Sequence, residues 1–395
     1  MKYIVLLCDG LADRPIKELN NKTIIEYANI PNINSLALKG KCGYIKTTPD
    51  NMAPGSDICN LSIFGYDPCK YYTGRSPLEA VSMGIKLNDN DIAFRCNTVT
   101  IKDNIMESFT AHHIEEKYVE NIINALNKEF NNQSVEFYKG VGYRNLMVMR
   151  NAKGKIFNTT PPHDISDKNI LEYLPNGNDS DLLLNIMKQA EEKIFKSGID
   201  TGKATNIWLW GQGARPALPA FIDEYKLKGA VISAVDLIRG IGVCAGMDII
   251  KVPNITGFTD TNFKGKAKYA IDALKNHDYV FIHVEAPDEA GHLGSIEEKI
   301  KAIELIDSEM MPILMKGMEE IKECRILITP DHATPIELKT HSAEKIPAIL
   351  YGSGIKADEN KIYSENIKPS FDLIDGYKIA ESCCNEIWRH KCWKY

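Results

Sequence analysis

The chain has 395 residues, is 44% hydrophobic and 25% charged, and carries a formal net charge of −6 at pH 7. This length exceeds what a single hydrophobic core normally serves, so two domains are expected. The acidic balance without a basic block argues against a nucleic-acid groove, and no apolar run approaches the roughly 20 residues of a membrane span. We therefore expect an enzyme acting on small molecules, with no nucleic-acid or membrane partner.

The N-terminal segment, residues 1–85, opens with the apolar run YIVLLC, which predicts a strand ending at Asp9. Further along, Pro54 and Gly55 predict a turn, and SDICNLSIF predicts a helix. Ser56 would then lie at a helix N-terminus, where backbone N–H groups and the helix dipole favour a phosphate or an alkoxide. Taken alone, Ser56 is better interpreted as an ordinary helix cap, and Asp9 could equally cap the segment that follows it.

The middle segment, residues 86–226, has a different character. EEKYVENIINALNKEF and DLLLNIMKQAEEKIFKSG predict amphipathic helices, set between the strand-like VEFYKGVGYRNLMVMR and NIWLWG. None of the candidate metal ligands lies in this middle segment. We predict a smaller α+β domain here, inserted into a metal-binding domain formed by residues 1–85 and 227–395.

The last segment, residues 227–395, alternates strands and helices. The strands GAVISAV, DIIKVP, YVFIHVEAPD, RILITPD and IPAILYG are separated by predicted helices at DLIRGIGVCAGM, at about 264–275 and at SIEEKIKAIELIDSEMMPILMKGMEEI. Such alternation predicts a largely parallel sheet with helices on both faces, and hence an α/β fold.

The cysteines and the C-terminal tail give little further information about function. The 10 cysteines show no CxxC or framework spacing, which indicates reduced thiols in a cytoplasmic protein. In the tail CCNEIWRHKCWKY, a metal cluster of Cys383, Cys384, His390 and Cys392 is one interpretation. A terminal helix is the simpler one.

Two strands of the last segment end on acids, as the first strand does. YVFIHVEAPD leads to Asp288, with His292 four residues later, and RILITPDH ends on Asp331 and His332. Ligand sites of open α/β sheets lie at the carboxyl ends of the strands. Residues four apart share one face of a helix, so Asp288 and His292 could hold one ion. His341, in THS, is a further candidate, although it could be a surface residue.

These candidates together predict a site for two divalent metal ions. Oxygen and imidazole ligands without a thiolate favour manganese or magnesium, with zinc as the alternative. Two ions could stabilise the attacking and leaving oxygens of a phosphoryl displacement, and one could lower the pKa of a serine hydroxyl. The candidate metal ligands are Asp9, Ser56, Asp288, His292, Asp331, His332 and His341.

Substrate-binding groups are expected in the middle segment. Arg144 follows a glycine-rich turn in GVGYRNL, and Arg215 follows one in WGQGARP. Glycine lets the backbone approach a ligand closely, and a guanidinium pairs bidentately with phosphate or carboxylate. His113 and Asp164 are further candidates, with His112 as an alternative to His113. Any of them could instead be a solvated surface residue.

The segments CDGLADRP, PGSDICNLSIFGYDP, YYTGRSPLEA, AFRCN, WGQGARP, APDEAGH and TPDHATP resemble the archaeal type of cofactor-independent phosphoglycerate mutases, in the alkaline phosphatase superfamily. The resemblance covers essentially the whole chain. It implies one metal held by Asp288, His292 and His341, and another held by Asp9, Ser56, Asp331 and His332. Ser56 would be the nucleophile.

The resemblance also implies an activity. It is the interconversion of 3-phosphoglycerate and 2-phosphoglycerate through a phosphoserine, without 2,3-bisphosphoglycerate. Residues 86–226 would hold the substrate and close as a lid. We expect a monomer or a small homo-oligomer.

The chain also resembles a bacterial branch of the same family that has been proposed to act as homoserine kinases. His163 and Asp164 stand where an arginine–aspartate pair is expected in the longer bacterial mutases. A metal-dependent phosphotransferase acting on a small alcohol such as homoserine is therefore the alternative, and a hydrolase is a third. A mutase would need positive groups around Arg144 and Arg215 for the substrate carboxylate, whereas a kinase would turn an acid such as Asp164 towards an ammonium group.

Overall fold

The chain folds as two units, one formed by Met1–Tyr72 with Ala217–Tyr395 and the other by Thr73–Pro216. We call them the terminal unit and the inserted unit. The computed structural model describes residues 1–131 and 134–384. The bounds expected from the sequence, 86 and 226, lie further along the chain than Thr73 and Pro216. The helix Ser76–Ser82 packs on strands of the inserted unit, whereas Phe221 packs on Tyr279 of the terminal unit.

The regular elements of the described residues are as follows. The strands are β1 (Lys2–Cys8), β2 (Lys41–Ile45), β3 (Ile92–Lys102), β4 (Ile105–Ser108), β5 (Val135–Val141), β6 (Arg144–Met149), β7 (Asn206–Ala214), β8 (Gly229–Ile232), β9 (Asp248–Ile249), β10 (Tyr279–Val284), β11 (Cys324–Thr329), β12 (Ile346–Gly352) and β13 (Asp372–Leu373). The helices are α1 (Ile24–Tyr27), α2 (Pro31–Lys39), α3 (Ser56–Ile63), α4 (Pro68–Tyr71), α5 (Ser76–Ser82), α6 (Glu116–Glu129), α7 (Ser180–Ala190), α8 (Phe221–Tyr225), α9 (Asp236–Cys244), α10 (Phe263–Ala273), α11 (Ala286–Leu293), α12 (Ile296–Leu305), α13 (Met311–Ile321) and α14 (Lys378–Cys384). Short 3-10 turns occur at Lys17–Leu19, Pro162–Ile165 and Ile170–Tyr173, and π turns at Glu191–Phe195 and Ile306–Met310.

The terminal unit is built on an 8-stranded sheet in the order β13-β2-β12-β11-β1-β10-β8-β9. β1 is central and runs parallel to both neighbours, β10 and β11, while β12 is antiparallel to β11 and β2. Every residue of β10 and β11 is buried, as are all but the first of β1. Burial on both faces explains why these strands read as continuous apolar runs. The predicted α/β fold with a largely parallel sheet is confirmed.

The core of the terminal unit joins this sheet to its long helices. Leu36 of α2, Ala267 of α10, Ala302 of α12 and Leu314 of α13 pack in one cluster with the apolar side chains of β1, β10 and β11. The sheet is therefore held firmly behind the strand ends that carry the candidate ligands.

The inserted unit contains an antiparallel sheet in the order β4-β3-β6-β5, with β7 also paired to β3. Helices α6 and α7 bury Val119, Ile122 and Leu183 against this sheet, in agreement with the amphipathic pattern of the sequence. The long strand β3 was not predicted. Its buried Arg95 and Asn97 interrupt the apolar pattern that identifies a core strand.

Two further observations concern expectations from the sequence. Within residues 1–131 and 134–384, no helix combines the length and apolar character needed to cross a membrane. The cluster suggested for the tail lies outside what the structure describes, since His390 and Cys392 follow residue 384 and the side chains of Cys383 and Cys384 are not described.

Candidate metal centre

The three acidic strand ends meet at one edge of the sheet. The parallel pairing aligns Cys8 with Val284 and Leu7 with Thr329, so β1, β10 and β11 end side by side. Asp9 follows β1 directly, and its backbone N–H donates to the carbonyl of Val284 at 2.9 Å. The convergence that the sequence predicted is therefore a direct consequence of the strand order.

The helix α11 places one acid–histidine pair. It begins just after β10, and Nε2 of His292 lies 3.2 Å from Oδ2 of Asp288, one helical turn away. His341 joins them, with its Nε2 3.0 Å from Nε2 of His292 and 3.6 Å from Oδ1 of Asp288. Nδ1 of His292 lies 3.0 Å from the carbonyl of Lys339, which accepts its proton. With Nδ1 held as a donor, loss of the Nε2 proton would leave a lone pair on Nε2 facing the site, as a metal ligand requires.

A second group forms around His332. Its Nε2 lies 3.5 Å from Oδ1 of Asp9, 3.3 Å from Oδ2 of Asp331 and 3.2 Å from Oγ of Ser56. The hydroxyl of Thr334 donates its proton to the carboxylate of Asp288. Nδ1 of His332 lies 3.2 Å from the same hydroxyl oxygen, which must therefore accept a hydrogen bond from the N–H of Nδ1. This tautomer leaves Nε2 as an acceptor facing Ser56 and the two carboxylates.

Ser56 does not cap its own helix. It is the first residue of α3, and Gly55 precedes it without a side-chain capping bond. Asn60, one turn later, donates to the carbonyl of Ser56 at 2.9 Å and to Oδ2 of Asp331 at 2.7 Å. Asn60 thus ties the backbone of Ser56 to the Asp331 carboxylate, and Ser56 lies at the positive end of a helix.

The protonation of these residues reflects a shortage of positive charge. Burial raises the pKa of Asp9 well above its usual value, and the charges of Asp331 and Asp288 raise it further. Burial also acts to raise the pKa of Asp288, but hydrogen bonds from His292 and His341 hold it well below its usual value. The pKa of His332 is lowered by burial, which favours the neutral ring of a metal ligand.

The arrangement and chemistry of these side chains suit the binding of divalent metal ions. Asp9, Asp331 and His332 offer ligand atoms within 4.8 Å of one another, and so do Asp288, His332 and His341. Oδ1 of Asp9 is buried and has no hydrogen-bond partner among the described residues, a costly state that a bound cation relieves. All donors are oxygen or imidazole nitrogen, which suits manganese, magnesium or zinc.

The comparisons with known proteins identify the family of the chain. The family "2,3-bisphosphoglycerate-independent phosphoglycerate mutase" matches residues 37–199. A protein of Geobacter sulfurreducens named "Probable 2,3-bisphosphoglycerate-independent phosphoglycerate mutase" is 45% identical over 96% of this chain and 99% of its own. The chain belongs to this family. A member from Methanothrix thermoacetophila is 46% identical over 92% of this chain and 94% of its own length.

Solved structures of other proteins share the fold of this chain. The PH0037 protein from Pyrococcus horikoshii matches with a TM-score of 0.82 at 29% identity, covering 100% of this chain and 99% of its own. The cofactor-independent phosphoglycerate mutase from Thermoplasma acidophilum gives 0.67 at 23% identity, covering 97% and 99%. The resemblance read from the sequence segments is confirmed.

The four candidate substrate residues all lie in the inserted unit of this mutase-family chain. His113 is exposed and donates its backbone N–H to Thr110. Arg144 begins β6 with its guanidinium 5.2 Å from the ring of Tyr143. Asp164 and Arg215 are exposed, Asp164 lying 3.6 Å from Nε2 of His163. Within residues 1–131 and 134–384, no hydrogen bond or ion pair joins any two of these four residues.

A cationic cluster in the inserted unit surrounds Glu79. Nε of Arg75 lies 2.9 Å from Oε1 of Glu79, and Nε of Arg95 lies 3.2 Å from Oε2. The guanidinium of Arg95 is 4.7 Å from the ring centre of Trp210. Burial lowers the pKa of Arg95 to about 10; Glu79 opposes this shift, and Arg75 and Arg144 add to it. Arg144 therefore belongs to a group with more positive than negative charge.

His163 lies next to this cluster. Its ring centre is 5.4 Å from that of Trp210 and 6.1 Å from that of Phe109. Burial lowers the pKa of His163, Asp164 opposes the shift, and the charges of Arg95 and Arg75 add to it. Sequence reasoning named His163 only as a departure from the expected pattern. It missed Arg75 and Arg95, although both occur in segments that carry the family resemblance.

Other residues of the centre were also missed in the sequence. Asn60 and Thr334 hydrogen-bond the carboxylates of Asp331 and Asp288. His283, inside β10, lies with Nε2 2.7 Å from Oδ2 of Asp9, and burial together with Lys266 holds its pKa well below the usual value. The sequence did contain two signals for these residues: a histidine within an apolar strand, and an asparagine one helical turn after Ser56.

Gly10 is expected to be essential for the shape of the centre. Its φ is +59°, and a Cβ there would lie 2.3 Å from Oδ1 of Asp288 and 2.5 Å from Oγ1 of Thr334. Gly10→Ala should weaken Mn²⁺ binding about tenfold or more, measured by isothermal titration calorimetry, because it displaces a ligand. Gly84→Ala is the matched control, since Gly84 has φ +77° but open space around it. Equal affinities for the two variants would contradict this account.

The stability of the metal-free protein should depend on His292. The hydrogen bond with Asp288 raises the pKa of His292 to about 9, although burial acts to lower it. A raised histidine pKa stabilises the fold below the unfolded value of about 6.5, and the contribution is lost as pH rises through the folded value. The difference in urea midpoint between the metal-free wild type and His292→Gln should therefore shrink between about pH 6.5 and pH 9.

An exposed histidine provides the control for this measurement. His112 pairs with Glu107 at 3.0 Å on the surface of the inserted unit. His112→Gln should leave the urea midpoints close to wild type. If the difference for His292→Gln stayed constant or grew with pH, the assigned pairing with Asp288 would be wrong.

Proposed function

We propose that this chain interconverts 3-phosphoglycerate and 2-phosphoglycerate, with the phosphoryl group carried in between on Ser56. The observation that carries the proposal is the position of Oγ of Ser56, at the first residue of α3 and 3.2 Å from Nε2 of His332. A hydroxyl that is held among buried carboxylates and histidines, without a capping role, suits a nucleophile. Membership of the phosphoglycerate mutase family supports the choice of substrate.

The ligands would divide as the family resemblance implies. Asp288, His292 and His341 would hold one ion, and Asp9, Ser56, Asp331 and His332 the other. Manganese or magnesium ions, when bound, would lower the pKa of the serine hydroxyl and neutralise phosphoryl oxygens, and zinc is the alternative. The contacts of His292 and His341 with Asp288 support the first group, and those of His332 with Asp9, Asp331 and Ser56 support the second.

The transfer balances without an external phosphate donor. Oγ of Ser56 would bond to phosphorus as the bond to the 3-oxygen of glycerate breaks, and that oxygen would take up the serine proton. Attack by the 2-hydroxyl would then regenerate Ser56, with the proton of that hydroxyl returning to Oγ. No 2,3-bisphosphoglycerate is needed, because the glycerate stays bound between the two steps.

The inserted unit would bind the carboxylate of the substrate. The excess positive charge around Glu79, with Arg144 within its field, supports Arg144 in this role. Arg215, His113 and Asp164 remain predicted contacts. A lid action of residues 86–226 is part of the proposal, because phospho-Ser56 must be shielded from water if the phosphoryl group is to return to glycerate.

The activity can be tested directly with purified protein and Mn²⁺. In an enolase-coupled assay, 3-phosphoglycerate should be converted to 2-phosphoglycerate without added 2,3-bisphosphoglycerate. Release of inorganic phosphate should be a minor side reaction. An absence of turnover, together with phosphorylation of homoserine by ATP, would overturn the proposal, as would hydrolysis as the main reaction.

Ser56→Ala tests the nucleophile. The variant should lose about 1,000-fold or more of the mutase rate, because no other group can carry the phosphoryl. Peptide mass spectrometry of the wild type after exposure to 3-phosphoglycerate should find phosphate on Ser56. Ser308→Ala, at an exposed serine that bonds only the carbonyl of Glu304 among described partners, is the control and should keep the full rate. Substantial mutase activity in Ser56→Ala would exclude the phosphoserine route.

A further inference from the structure

His283 is a fully buried histidine in the otherwise apolar strand β10. Its side chain is 0% exposed, and it aligns with Leu7 of β1 in the parallel register. Lys266, also 0% exposed, donates its ammonium to the carbonyl of His283 at 2.9 Å. The strand pairing and this bond fix the backbone of His283 one strand away from Asp9.

The imidazole of His283 connects Asp9 to Ser233. Nε2 lies 2.7 Å from Oδ2 of Asp9, and Nδ1 lies 3.3 Å from Oγ of Ser233. Oγ of Ser233 accepts the backbone N–H of Val235 at 3.0 Å, and the carbonyl of Val235 is 3.5 Å away. The nearer acceptor for the serine proton is therefore Nδ1.

This arrangement fixes the tautomer of the ring. If Ser233 donates to Nδ1, the ring proton must reside on Nε2, where it is donated to Asp9. The opposite tautomer would place the lone pair of Nε2 against a carboxylate oxygen and lose the bond to Asp9. The direction of the chain is thus Val235 N–H to Ser233, Ser233 to His283, and His283 to Asp9.

The consequence for Asp9 is that its two oxygens have different roles. Oδ2 is occupied by the N–H of His283. Oδ1 is buried, lacks a hydrogen-bond partner within the described residues, and lies 3.5 Å from Nε2 of His332. A carboxylate fixed through one oxygen presents the other in a single orientation, which raises the affinity of a ligand site.

We propose that His283, oriented by Ser233, is a positioning residue that fixes Asp9 so that Oδ1 faces the metal ion. The inference rests on the proposed role of Asp9 as a metal ligand. It assigns to β10 a second contribution to the centre, in addition to carrying α11 and its ligands. Neither His283 nor Ser233 touches the substrate in this scheme.

The test compares Mn²⁺ binding by purified full-length variants, using isothermal titration calorimetry and the electron paramagnetic resonance of bound Mn²⁺. His283→Leu removes the donor and should weaken one of the two sites about 10- to 100-fold. His283→Gln keeps an N–H in reach of Asp9 and should recover most of the affinity. Ser233→Ala leaves the ring but removes the group that selects its tautomer, so an intermediate loss is expected.

The chain offers a matched control in His277. This buried histidine has Nε2 2.8 Å from Oδ2 of Asp248, the same kind of pair in the same unit, but Asp248 is a surface acid outside the metal centre. His277→Leu should lower the melting temperature of the metal-free protein and leave Mn²⁺ affinity unchanged. A purely structural role for His283 would give this same result for His283→Leu.

The outcomes separate this inference from the proposed function. Two bound Mn²⁺ ions in the wild type, with unchanged affinity in His283→Leu, would overturn the positioning role and leave the proposed metal centre standing. A wild type that binds no Mn²⁺ would overturn the centre itself. If His283→Leu fails to fold, Ser233→Ala decides, and wild-type affinity in a folded Ser233→Ala would refute the relay.

Discussion

The mutual repulsion of three buried carboxylates is the constraint on which the centre depends. Asp9, Asp288 and Asp331 are each at most 5% exposed, and the strand order of the sheet forces them to one edge. Burial and like charges both destabilise the ionised forms, which is why the pKa of Asp9 rises so far. Such a cluster is stable only with compensating positive charge, so the same physics that makes the apo centre costly makes it a strong site for divalent ions.

The surrounding residues hold this cluster in shape. The backbone N–H groups of Gly10 and His332 both donate to Oδ1 of Asp331, at 3.1 and 3.0 Å. Lys299, fully buried, pairs with Asp13 at 2.8 Å and donates to the carbonyls of Ala12 and Thr334. One lysine thereby ties the loop after β1 to the loop after β11. The ammonium of Lys299 pairs with Asp13 and with two carbonyls, so it rigidifies the loops without taking the place of an ion.

The predictable part of the protein is the part encoded by local patterns. Strands buried on both faces read as apolar runs, so their abrupt ends at Asp9 and Asp331 could be found in the sequence, as could the helical spacing of Asp288 and His292. The strand β3, with its buried Arg95, could not, because the partners that make a buried arginine tolerable are distant in the chain. His283 was hidden for the same reason: only the pairing of β1 with β10 reveals that it faces Asp9.

The division of the chain separates the candidate metal ligands from the cationic cluster around Glu79. None of the seven candidate metal ligands lies within Thr73–Pro216, and the cationic cluster around Glu79 lies wholly within it. The two units have separate hydrophobic cores and sheets of different type. Under the proposed function, substitutions around Arg75, Arg95 and His163 should therefore alter substrate binding without moving a metal ligand. In the proposed function, phosphoryl transfer would therefore depend on the terminal unit, and recognition of the glycerate carboxylate on the inserted unit.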